Sequence, residues 1–157
     1  MARPYRLPPE IADFARRYRA LLSEAIANRM RRIGVPSDMI GIEYWGVDTG
    51  AFVEYFPPQL GGNIRVGLNG RTGINVDPAI FDFDAPKVGQ LSAWRGARLR
   101  DRVDAVVAHE FTEATAPEGC DFHQYAIEHA ERTELEITDR ARLILEQYRL
   151  SEEGRRT

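Results

Sequence analysis

Val103-Asp104-Ala105-Val106-Val107-Ala108-His109-Glu110-Phe111-Thr112-Glu113-Ala114 is the stretch on which the rest of the chain is organised. Val103, Val106, Val107, Phe111 and Ala114 recur at three- and four-residue spacing, the signature of a helix with one face in a core. The spacing predicts a helix from Arg100 to about Thr115, stopped by Pro117 and Gly119. At about 100° per residue, His109 and Glu113 stand about 40° apart, with Glu110 about 60° beyond Glu113. The three ionisable groups therefore share an arc beginning where the apolar arc ends, at the core's edge. Burying an unpaired carboxylate is expensive, so this arc calls for partners or a cation.

Around this helix the predicted order is helix, strands, helices. Ile11, Phe14, Tyr18, Leu21, Leu22, Ala25, Ile26, Met30 and Ile33 give a long amphipathic N-terminal helix within residues 1–36. Pro8 and Pro9 sit at its start, and Gly34 and Pro36 at its end. Arg16, Arg17, Arg19, Arg29, Arg31 and Arg32 lie mostly off the apolar stripe and read as a solvated face. Residues 41–84 change character. Ile42–Val47 and Ala51–Phe56, separated by Asp48-Thr49-Gly50, suit a hairpin whose aromatic residues form core and cross-strand pairs. Asn63–Leu68 and Gly73–Asp77 flank the turn signal Asn69-Gly70. Asp77, Asp82 and Asp84 lack calcium-loop spacing and read as a solvated turn. Residues 88–150 are helical again: one helix near Val88–Leu99 or a lead-in to the next, the helix quoted above, one over Phe122–Arg132, and a last one capped by Thr138 and reaching Tyr148. The expected architecture is a single-domain α+β fold with a small, mostly antiparallel sheet of three or four strands packed on helices.

Composition narrows the function classes. The 157 residues are 43% hydrophobic and 29% charged, ordinary for a globular chain. The 21 basic and 24 acidic side chains leave a net charge of −3, without the basic excess of a generic nucleic-acid binder. A single cysteine, Cys120, excludes an intrachain disulfide and a multi-cysteine zinc site. No apolar run approaches the roughly 20 residues that span a bilayer, and no apolar signal core follows the first residues. A cytoplasmic location is the resulting expectation, with no membrane partner.

The chemistry concentrates on the quoted helix. An imidazole and a carboxylate at i, i+4 can reach one metal ion, and zinc accepts both donors. Glu110, beside the ligand pair, is placed to act as general base toward a water at that ion. A hydrolytic site needs a third protein ligand. His123, in the next helix and on the same face as Ala126, Ile127 and Ala130, is the candidate. His129 lies about 120° around that helix from His123 and is the weaker choice. Cys120 is a further nearby donor, read as inert.

These residues resemble the active-site helix of the zincin metallopeptidases, His-Glu-x-x-His, with Glu113 in place of the second histidine. The resemblance implies His109 as zinc ligand and Glu110 as general base. It implies a peptide or protein substrate, with a strand such as Gly73–Asp77 aligning an extended peptide. The carboxylate-richer ligand set is also compatible with manganese or iron. The string from His123 through Arg142 is similar to the tail of uncharacterised bacterial domains with a His-Glu-x-x-Glu helix, a similarity that carries no activity. Two classes therefore stand: a metal-dependent hydrolase, of a peptide bond or of another bond in a toxin-like setting, and a non-enzymatic interaction domain with a structural metal or none.

Overall fold

A computed structural model describes residues 5–6, 8–40, 54–55, 62–66, 72–76 and 88–156. The elements in chain order are β1 (Tyr5–Arg6), α1 (Pro9–Arg17), α2 (Arg19–Ile33), β2 (Glu54–Tyr55), β3 (Gly62–Val66), β4 (Thr72–Val76), α3 (Ser92–Arg95), α4 (Leu99–Ala114), α5 (Phe122–His129) and α6 (Asp139–Arg156). Short 3₁₀ turns occupy Ser37–Met39, Val88–Gln90 and Ala130–Arg132.

The described residues are predominantly helical, which corrects the expected α+β fold. No three- or four-stranded sheet occurs among them. The extended residues form two separate antiparallel ribbons, β1 with β2 and β3 with β4. The β3–β4 ribbon pairs Gly62 with Val76 through Val66 with Thr72, across the segment carrying Asn69-Gly70. β2 pairs instead with the N-terminal Tyr5–Arg6. Aromatic and β-branched content marks a segment as extended, but it does not say which segment will be its partner. Ile42–Val47, most of Ala51–Phe56 and the aspartates at 77, 82 and 84 lie outside the described residues.

The core is built by helices. Trp94 of α3, Met30 and Ile33 of α2, and Ile144 and Tyr148 of α6 are almost wholly buried around α4. α4 itself is buried from Arg102 through Thr112 without interruption. It is therefore the central helix, surrounded on all sides rather than amphipathic. The charged groups this encloses are paired. Asp104 is fully buried and accepts 2.8 and 2.7 Å hydrogen bonds from the Arg29 guanidinium, and a third, 3.0 Å, from the Thr138 amide. Arg29 thus leaves the solvated face expected of it and ties α2 to α4. The buried Arg102 donates to the carbonyls of Trp94 and Ala97, and its guanidinium lies 5.2 Å from the Trp94 ring centroid.

Local chemistry explains several boundaries and corrects others. Thr138 Oγ1 accepts from the Ala141 amide and donates to Asp101, so it starts α6 as its sequence position predicts. α6 then runs to Arg156, past the expected end at Tyr148. The expected continuous N-terminal helix is interrupted at Tyr18, whose ψ of 21° departs from helical geometry. The buried face shifts with it: Ala12 and Ala15 are buried, whereas Phe14, Tyr18 and Leu21 are exposed. Val88–Leu99, expected as one helix or the lead-in to the next, is a 3₁₀ turn followed by the single turn of α3 ahead of α4. None of the helices is long and apolar enough to cross a membrane, among the described residues.

Candidate metal centre

Two helices build the site. α4 supplies His109 and Glu113 one turn apart. The chain then turns through Gly119, whose φ of 84° is the left-handed conformation that glycine adopts without cost. Asp121 caps the start of α5 by accepting from the Gln124 amide at 3.1 Å. α5 packs back against α4 and brings His123, in its first turn, over Glu113.

The three side chains converge. His109 Nε2 is 3.3 Å from Glu113 Oε2, and His123 Nδ1 is 3.8 Å from the same oxygen. The two imidazoles meet edge to face, with centroids 5.2 Å apart. One ligand atom from each residue lies within 4.8 Å of the others, so the trio could hold a metal ion. The spacing suits one. Ligands about 2.0–2.1 Å from a tetrahedral ion stand about 3.3–3.5 Å from one another. The pair on α4 already has that separation, His123 Nδ1 is a few tenths of an ångström farther from Glu113 Oε2, and all three donors lie within 4.8 Å.

Burial is graded across the cluster. His109 is 1% exposed, while the side chains of Glu113 and His123 are 23% and 38% exposed. One ligand is thus set in the core and two face outward, giving the site a floor and an opening. His123 is less buried than its apolar helical neighbours led one to expect. Tyr148 of α6 lies edge-on to His109, with ring centroids 6.0 Å apart, and limits the imidazole's rotation.

Electrostatics follow from these positions. Hydrogen bonds from His109 and then His123 hold the Glu113 carboxyl at about 2, against the opposing effect of burial. Burial pushes the His109 imidazole below its ordinary value, more strongly than Glu113 raises it. At neutral pH the cluster is therefore an anionic carboxylate beside a neutral buried imidazole, the protonation states that metal ligation uses. His109 Nδ1 is buried and meets no hydrogen-bond partner among the described residues.

Glu110 is 5% exposed on the next position of α4 and stands outside the three-residue cluster. The other donors weighed from the sequence are also elsewhere. His129 stacks on Tyr125 at 4.3 Å and accepts from Arg132 at 2.6 Å. The Cys120 thiol donates to the Pro117 carbonyl. Glu131, a further carboxylate just beyond α5, is bound by Arg149 at 2.6 Å. Sequence periodicity missed the Arg29–Asp104 pair that anchors α4, because its partners are 75 residues apart. Asp104 inside the otherwise apolar run 103–108 was the one signal of a buried countercharge. Set against known proteins, the chain matches no family model, no curated protein and no solved structure.

Proposed function

We propose that this chain is a zinc-dependent hydrolase of zincin type acting on a peptide bond, with His109, Glu113 and His123 holding the metal and Glu110 as general base. The supporting observation is the convergence of two imidazoles and one carboxylate, from two packed helices, within 4.8 Å. When bound, zinc polarises a carbonyl oxygen and makes a water more acidic.

The chain's own residues supply the rest. His109, enclosed by the core and by Tyr148, is held in place before any ligand arrives, so little entropy is lost on binding. Glu113 is ionised without needing to shed a proton at neutral pH. His123 stands on the solvent side, where a substrate enters. Glu110 takes a proton from the attacking water and passes it to the departing amine, the two halves of general acid–base catalysis. The β3–β4 ribbon lies against α4 and offers extended backbone beside which a peptide can align.

The test combines elemental analysis with cleavage of a peptide library by the zinc-loaded protein. Glu110→Gln should keep the metal and lose about 10²–10⁴ in rate. Unchanged turnover in that variant would remove Glu110 from the mechanism. Stoichiometric zinc with no cleavage of any peptide would leave a structural metal and overturn the hydrolase reading.

A further inference from the structure

On the far side of the α4–α5 pair from the metal cluster, an open groove of about 330 Å³ is cut between the two helices and the turn that follows. Phe111 and Thr112 form its floor, Tyr125 and His129 one wall, and Arg132 and Glu134 its rim. A groove of this size takes a small molecule rather than a protein segment.

The rim cation is not neutralised by a carboxylate among the described residues. Arg29, Arg149 and Arg16 each meet a carboxylate, and Arg142 caps the carbonyls of Glu131, Thr133 and Leu135. Arg132 meets none. Its Nη2 donates to His129 Nδ1 at 2.6 Å and to the Glu128 carbonyl at 3.5 Å. A guanidinium carries five donors in a planar fork, so most of this one's capacity is left over. Its contact with a ring nitrogen holds the guanidinium at the edge of the stacked Tyr125–His129 pair. A planar ring laid on that wall would therefore put its substituent at the Arg132 fork.

The surrounding groups choose among anions. The Thr112 and Thr115 hydroxyls spend their protons on the carbonyls of Ala108 and Phe111, so they can only accept. Glu134 lines the same rim, and Glu128 Oε2 is 4.0 Å from His129 Nε2. Two nearby carboxylates tolerate a single negative charge better than the nearly double charge of a phosphomonoester.

We propose that this groove binds a small aromatic carboxylate, its ring packed against the Tyr125–His129 pair and its carboxylate held by the Arg132 fork. The site is separate from the metal cluster and does not depend on the hydrolase reading.

The test is titration of the ¹⁵N-labelled full chain with benzoate, benzamide, benzamidine and phenyl phosphate, read as amide shifts. Benzoate should move the signals of Thr112, Thr115 and Thr133 with an affinity of about millimolar order, as its few atoms allow. Benzamide should bind more weakly and benzamidine not at all. The exposed Arg132→Met should weaken benzoate by about tenfold or more, the worth of a charge-assisted hydrogen bond. Arg132→Lys, which keeps the charge and loses the fork, should fall between the two. His109→Ala should leave benzoate binding unchanged. Groove signals that do not move, a benzoate response that survives Arg132→Met, or benzamidine binding equal to benzoate would each overturn the site. Tighter binding of phenyl phosphate would overturn the carboxylate assignment.

Discussion

Arg29 and Asp104 form a two-pronged ion pair, 2.7 and 2.8 Å, between α2 and the central helix α4, with the carboxylate wholly out of water. Such a pair is costly to break from one side, because the surviving charge stays buried. Arg29→Met, which strands the wholly buried Asp104 carboxylate, should therefore lose about 3–5 kcal/mol, measured by urea denaturation. Arg29→Lys should also destabilise, since an ammonium cannot supply both prongs. Wild-type stability in Arg29→Lys would show that charge alone suffices.

Metal affinity should depend on all three cluster residues. His109→Ala, Glu113→Ala and His123→Ala are each expected to weaken zinc more than the roughly 10–100-fold cost of losing an outer-shell partner. His129→Ala, Cys120→Ser and Glu131→Gln should leave it unchanged, because those side chains are engaged elsewhere. Competition with a chromogenic chelator measures both sets. Stoichiometric metal in His123→Ala would remove α5 from the site.

Acid should destabilise the metal-free protein in two overlapping windows. The folded His109 resists protonation, so stability falls as pH drops below its ordinary 6.5. The folded Glu113 titrates at about 2 against 4.5 when free, so its contribution is present above 4.5 and is lost as pH falls toward 2. Glu113→Gln should abolish the lower window. Urea midpoints at about pH 6 and about pH 3.5 should differ less in this variant than in the wild type. An equal difference in both proteins would mean that Glu113 is not the acid-sensitive group.

Gly34 ends α2 with a φ of 105°, and a Cβ there would meet Leu135 Cδ2 at an ordinary 3.7 Å. Space is available, so the cost of Gly34→Ala is that of the left-handed backbone, about 1–2 kcal/mol. Gly34→Asn, which tolerates this conformation, should cost less. Thermal denaturation of the two variants provides the comparison.

How much of this was legible in the chain depends on how far each signal reaches. The helix carrying His109 and Glu113 followed from spacing within one turn. The Thr138 cap and the Gly119 turn followed from single residues whose backbone roles are narrow. The approach of His123 to Glu113 was inferable because only a short turn separates their helices. Non-local pairings were not legible. The expected sheet failed on β2, whose partner is Tyr5–Arg6 at the other end of the numbering. The central position of α4 was hidden as well, since Arg102 looks like a solvent-facing residue until the Trp94 and Ala97 carbonyls accept from it, and Asp104 signals a buried charge without naming Arg29 as its partner.

The enclosure of α4 from Arg102 to Thr112 has a consequence for how such a site can change. Many enzymes vary their chemistry by exchanging loops over a fixed scaffold. Here His109 sits on the axis of the scaffold itself. A methylene added or removed at Val106, Val107 or Phe111 repacks the interior and shifts an imidazole in the same stroke. Affinity at this centre and folding of the chain are thus under one constraint, and adaptation is left to the margins, where the exposed positions of α5 and the segments flanking it can be rewritten without disturbing the axis.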